Sequence, residues 1–322
     1  MLKRLLILSL SIVVLFIVLD ACVKDLLLKN INLKTCYITN HKIEADIVIH
    51  GPCEPEWMMD PAIIDSIVGS KTYNLGLNHS DFADNYLSLY LYLKHQKAPK
   101  YFFLYATPIS FDKNLANTFN TYRFTPFLDD SVVAATVSEM DPVFMRYSFI
   151  PFLKYAYYSD YTYLKALQGG MYFLTKREIP EHVNGYAPAL SSWNTAISAY
   201  RSNTEYFKAM QWDSMREKYF RKTIELALSR GCKVYVYESP IYKPDEQLIQ
   251  NRSEMLAKVK HVTDSCKVPF LIFDTLPMAE DRLNFFSTYN TTFRGSIEFS
   301  KVFGSYIKEH IYKSEQQIAT RQ

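Results

Sequence analysis

The sequence predicts an α/β protein: a doubly wound parallel five-stranded sheet in a three-layer sandwich, with an aromatic-rich helical insertion and an N-terminal transmembrane helix. Three observations predict it. Short apolar runs closed by Gly or Pro alternate with stretches of helical period, the pattern of strands joined by crossover helices. Some 95 residues separate the third run from the fourth, too many for one crossover. Near the N-terminus, residues 5–19 are uncharged and mostly aliphatic.

The runs follow in order. Residues 45–50 read as a buried strand ended by Gly51-Pro52, and Pro61 opens a short helix through Ile63, Ile64 and Ile67. Residues 73–77 form the second strand, and residues 84–95 place Leu87, Tyr90, Leu91 and Lys94 at helical spacing. Residues 101–106 form the third strand, closed by Thr107-Pro108. A helix fits residues 206–228, with Gly231 as its stop. Residues 233–237 form the fourth strand, 246–262 a helix, 269–273 the fifth strand and 295–311 the last helix.

Composition narrows the function. In 322 residues, 36 Lys and Arg stand against 33 Asp and Glu, and the resulting net charge of +3 gives no reason to expect a nucleic-acid partner. Neither a dinucleotide fingerprint nor a P-loop occurs among the nine glycines. Cys22, Cys36, Cys53, Cys232 and Cys266 form no CxxC pair, so no metal site and no cofactor are expected. Cys232 and Cys266 each precede an apolar run. If those runs are neighbouring parallel strands, a bridge between the two thiols becomes feasible in an oxidising compartment.

The N-terminus sets the compartment. Lys3 and Arg4 precede the uncharged residues 5–19, and Asp20 follows. A helix of fifteen residues spans about 22 Å. Three readings stay open: an uncleaved anchor, a lipoprotein processed before Cys22, and a cleaved signal peptide. In each, positive charge stays inside and the rest of the chain lies outside the cytoplasm, membrane-anchored in the first two, at a bacterial periplasm or cell surface. The expected division is an anchor over 1–28, an α/β domain over 29–111 and 201–322, and the insertion over 112–200. The insertion carries Tyr147, Phe149, Phe152, Tyr155, Tyr157, Tyr158, Tyr161, Tyr163, Tyr172 and Phe173. Those aromatics serve either as a small helical core or as a platform that stacks on sugar rings or meets the membrane interface.

In an open parallel sheet, ligands bind beyond the carboxyl ends of the strands. There lie His50-Gly51-Pro52-Cys53-Glu54, Gly76-Leu77-Asn78-His79-Ser80-Asp81, Thr107-Pro108-Ile109-Ser110, Glu238-Ser239-Pro240 and Asp274-Thr275-Leu276-Pro277. A strand followed by Gly-x-Cys, then Tyr73-Asn74-Leu75-Gly76-Leu77-Asn78-His79-Ser80, then a late helix opened by a Gly, resembles the SGNH (GDSL-type) hydrolases. The resemblance is to the membrane-anchored branch linked to O-acylation of envelope polysaccharides, and it covers residues 45–109 and 227–311.

The resemblance implies an SGNH-like sandwich with Cys53 in the nucleophile's place, where the family has Ser. It gives Gly76 the oxyanion-hole position, with Gly51, Asn78, Glu54 and Ser110 around the ligand. Ser287 and Asn290 fall at the family's Asp and His positions. An Asn cannot take a proton, so the usual base is missing. Three readings follow. The first is a degenerate protein that assists O-acylation, holding a cell-envelope glycan or acyl donor beside an integral-membrane O-acyltransferase. The second is an active acyl esterase or acyltransferase with Cys53 as nucleophile and His50 or His79 as base. The third is an unrelated α/β glycan-binding or interaction domain.

Overall fold

Five short strands, β1 (Ile47–His50), β2 (Thr72–Asn74), β3 (Tyr101–Tyr105), β4 (Lys233–Glu238) and β5 (Phe270–Ile272), pair in the order β2-β1-β3-β4-β5, every pair parallel. The structure, a computed structural model, describes residues 1–115, 118–156, 159–188, 209–246 and 249–314. The chain divides into two compact units: Met1–Lys42 with Phe119–Glu181, and Ile43–Thr118 with His182–Gln322. The second holds the sheet.

In the sheet unit, α3 (Cys53–Met58) and α4 (Pro61–Val68) connect β1 to β2, and α5 (Phe82–His95) connects β2 to β3. After the excursion into the other unit, α10 (Ser214–Ser229) leads into β4. The short α11 (Lys243–Glu246) and α12 (Arg252–Ser265) lead to β5, and α13 (Phe293–Tyr306) closes the unit. Strand residues alternate between faces. Ile47, Ile49, Tyr101, Phe103, Tyr105 and Tyr237 join one core cluster with Ile64 of α4 and Phe299 and Phe303 of α13. The alternate residues face α5 and α10, which pack through Phe82 on Phe220 and Tyr86 on Tyr219. The sheet is therefore covered by helices on both sides.

Helix starts follow capping chemistry. Asp60 accepts from the amide of Ala62, and Pro61 follows at the first helical position. Asp81 and Asp84 form a capping box on α5, two residues before the periodicity becomes legible. Asp213 caps α10, so that helix begins at Ser214; residues 206–208 of the expected helix lie outside the described residues. The helix expected over 246–262 is α12, begun six residues later, at Arg252.

The other unit is helical: α1 (Leu2–Leu28), α2 (Lys34–Asn40), α6 (Ser131–Met140), α7 (Pro142–Ser148), α8 (Leu153–Ala156) and α9 (Ser159–Leu174). Its core gathers Val23, Leu27, Leu33, Cys36, Tyr155 and Ala166. Thus α1 enters this core with its last turns, and residues 29–42, expected with the sheet, belong with the helices. Of the expected aromatic set, Tyr157 and Tyr158 lie outside the described residues, as does the side chain of Tyr161. α1 is long and apolar enough to cross a membrane. Where α1 crosses α9, the backbones touch: a Cβ on Gly169 would lie 1.8 Å from the carbonyl oxygen of Leu26.

β4 and β5 are neighbours, but the bridge between Cys232 and Cys266 does not form, and all five cysteines are free thiols. Cys266 caps the end of α12 rather than standing at the strand edge, and its Sγ accepts a hydrogen bond from Arg221.

Candidate functional site

The chain leaves β1 through Gly51, whose φ of +151° lies in the region glycine favours. Space excludes any other residue there, because a Cβ would sit 2.6 Å from that of Tyr105. The turn delivers Cys53 to the first turn of α3 and into a cavity of about 770 Å³ beyond the carboxyl ends of the strands. Its walls carry Cys53, Glu54, His79, Ser110, Ser287 and Asn290, from four separate segments of the sequence.

The Cys53 thiol accepts a hydrogen bond from the main-chain amide of His79 at 3.0 Å. Burial, reinforced by the Glu54 carboxylate, pushes the thiol up to about 12 against that bond and a second from the Ser80 amide. A thiol held there is protonated at neutral pH, the opposite of an activated nucleophile. Burial likewise pushes the Glu54 carboxyl up to about 7. Its Oε2 is shut off from water and has no hydrogen-bond partner among the described residues.

Ser287 and Asn290 hold each other. The Asn290 side chain donates to Ser287 Oγ at 2.8 Å, and its amide does so at 3.1 Å. Asn290 Oδ1 is buried with no partner among the described residues, an acceptor suited to a ligand hydroxyl or amide.

Four of the expected residues do other work. His50 is fully buried, and its Nε2 donates to the Asn85 carbonyl of α5 at 2.8 Å. It shares the α5 face of β1 with Val48 and is not among the cavity's lining residues. The Gly76 amide, expected in the oxyanion hole, instead donates to Asn74 Oδ1 at 3.0 Å. Asn74 in turn donates to the carbonyls of Pro55 at 2.5 Å and Met59 at 2.8 Å, tying β2 to α3. The Asn78 amide donates to Glu56 at 2.6 Å, making a second tie between the same segments. Gly51 shapes the turn and lends its carbonyl to the Leu77 amide at 3.2 Å. His79 has an exposed ring and a left-handed φ of +46°.

Arg216, Asp112 and Tyr289 also line the cavity. Arg216 is 8% exposed, and its guanidinium donates to the carbonyls of Ser110 at 3.2 Å and Leu115 at 3.3 Å. It brings a positive charge to walls otherwise lined by Glu54, Asp81 and Asp112. On α10 it reads in the sequence as one more charge of a solvated helix face. Tyr289 lies between two residues the resemblance singled out, the only signal that pointed near it.

Beneath the strand ends lies a buried charge cluster. Arg252 pairs with Glu238 at 2.9 Å, Glu246 at 3.0 Å and Asp274 at 3.3 Å. Thr107 also donates to Glu238 at 3.1 Å, yet burial still pushes Glu238 up to about 7. Among the described residues no three His, Cys, Asp or Glu side chains converge as a metal ion would require.

No family model matches the sequence, and no curated protein matches it.

Proposed function

We propose that the chain is an extracytoplasmic, membrane-anchored SGNH-like protein that assists O-acylation of a cell-envelope polysaccharide. In this reading it binds an acylated glycan or acyl donor in the cavity and does not turn it over. One observation carries the reading: the nucleophile's place is occupied by a thiol pushed up to about 12, while the places of acid and base hold a serine and an asparagine bonded to each other. A pocket at the carboxyl ends of parallel strands binds well in this state. It lacks the base that ester hydrolysis needs. The strand order 2-1-3-4-5 supports the fold side of the resemblance, and α1 supports the anchor. The glycan, the outward orientation and an integral-membrane O-acyltransferase as partner come from the resemblance alone.

A second reading has its own support. Glu54 lines the same cavity as Cys53 and is pushed up to about 7, where a carboxyl serves as a general base at neutral pH. The chain would then be a thiol-dependent acyl esterase or acyltransferase, with Glu54 in the part expected of His50 or His79.

The deciding experiment uses the full chain in detergent micelles under reducing conditions. Acetyl-ester hydrolysis is compared for wild type, Cys53→Ala and Glu54→Gln, alongside calorimetric binding of an O-acetylated oligosaccharide. The first reading expects no turnover above the detergent blank, and binding that is lost when Cys53→Trp fills the cavity. Turnover that vanishes in Cys53→Ala and in Glu54→Gln would establish the second.

A further inference from the structure

We propose that the corner over residues 143–152 is a second membrane contact, an aromatic edge that enters the bilayer interface beside α1. It rests on reading α1 as a membrane span. The apolar residues 5–19 rise about 22 Å as a helix, whereas the hydrocarbon core is roughly 30 Å thick. A span that short thins the bilayer around it or is completed by other apolar surface at the same depth.

The corner is fixed at that depth by two contacts. Asp20 accepts from the Phe152 amide at 2.8 Å and pairs with Lys154 at 3.0 Å, both side chains being largely buried. One helical turn earlier, the ring of Phe16 lies 6.1 Å from that of Phe152. Phe16 is 38% exposed, where the large apolar residues around it between Ile12 and Val18 are 46–53% exposed. Phe16 lies inside the apolar run, about 6 Å along the helix from Asp20, so the Phe152 ring packs against the hydrocarbon-facing part of that span. The left-handed backbone of Phe152, with φ +67°, is pinned by the Asp20 bond and by packing against Tyr163.

From this pinned residue the corner presents Val143, Tyr147 and Phe149, which are 46%, 41% and 75% exposed, with Arg146 exposed among them. Aromatic rings flanked by a cation are the side chains a membrane interface favours. The occupant is lipid rather than another protein because the patch ends at Phe152, which packs on Phe16 inside the apolar run of α1 and is tied to Asp20 at its end. The pairing with Lys154 also accounts for an acidic residue at the end of the run, since a charge near the membrane is kept when it is partnered.

The test uses the full chain in phosphatidylcholine proteoliposomes carrying Phe149→Trp, with the emission added over that of the three native tryptophans as the signal. Lipid brominated at shallow acyl positions should remove more than half of the added emission, while aqueous iodide leaves it intact. Placing Asp20→Ala in the same background should untie the corner and let aqueous iodide remove at least a third of the added emission. Iodide quenching without bromolipid quenching, in vesicles that keep the chain through alkaline extraction, overturns the corner and leaves the anchor standing. Release of the chain by alkali overturns both. Unchanged quenching in Asp20→Ala overturns the role given to Asp20.

Discussion

Cys53 stands in the first turn of a helix, a place that ordinarily acidifies a thiol. Burial beside Glu54 and Glu56 outweighs that effect and leaves the thiol at about 12. At pH 8 the thiolate fraction is then on the order of 10⁻⁴, against about a quarter for a free thiol of pKa 8.5. Iodoacetamide should therefore modify Cys53 about a thousandfold more slowly than it modifies glutathione, followed by mass spectrometry of the Cys53 peptide. A rate near that of glutathione would mean an activated thiol.

Glu54 makes the second residue-scale prediction. Its carboxyl is raised from 4.5 to about 7 by burial, so between those values the folded chain holds a proton that the unfolded chain has released. Stability therefore falls as pH rises from about 4.5 to 7, then levels off. Removing the charge with Glu54→Gln should stabilise the protein at pH 8 by about 2–3 kcal/mol and leave it unchanged at pH 4. Urea denaturation at the two pH values reads the difference. An equal effect at both would place the cost in packing rather than in ionisation.

Among elements, the strands were legible because each is a short apolar run with a polar or Gly-Pro stop, and the parallel order followed from the helices between them. α3 was not. Gly51-Pro52-Cys53-Glu54-Pro55 has the composition of a loop, and only the packing of that turn against Tyr105 and Asn74 makes it helical. The insertion was expected to be helical, but its individual helices were hidden for another reason: closely spaced aromatics blur the 3.6-residue period. The rule of strand ends singled out Cys53, Glu54, His79 and Ser110, counting back from Gly295 singled out Ser287 and Asn290, and the structure brings all six to the walls of one cavity. His50 was misjudged although the sequence held the answer, since a two-residue alternation sets it with Val48 on the α5 face. The lost oxyanion role of Gly76 could not be read at all, because it depends on where the Asn74 side chain turns.

The crossing of α1 and α9 gives an element-scale test with an internal control. A Cβ at Gly169 would meet the Leu26 carbonyl at 1.8 Å, whereas one at Gly170 would meet only the end of the Leu26 side chain at 3.2 Å. Gly169→Ala must separate two backbones and should cost about 3 kcal/mol. Gly170→Ala needs a small side-chain shift and gains up to about 1 kcal/mol of helix propensity, so it should be neutral or stabilising. Thermal unfolding of the full chain in detergent distinguishes them. Equal midpoints would mean that the helices do not cross in contact.

At the scale of the whole molecule, α1 cannot be detached from the helical unit at residue 28. Val23 and Leu27 are buried in the core of the helical unit, and Asp20 holds Phe152 and Lys154. Processing before Cys22 would cut α1 in mid-helix and remove Asp20 together with its ties to Phe152 and Lys154. The same reasoning decides how a soluble form should be made. A chain begun at residue 29 loses two buried aliphatic side chains, each contributing about 2 kcal/mol or more, together with the tie to the 143–152 corner. A chain begun at residue 19 keeps all three and sheds only the exposed apolar turns. The longer form should melt cooperatively, and the shorter should lose its protection from hydrogen exchange around Tyr155 while the sheet strands keep theirs. Identical exchange at Tyr155 in the two forms would reduce the last turns of α1 to a tether, with the rest of the helical unit folding independently of them.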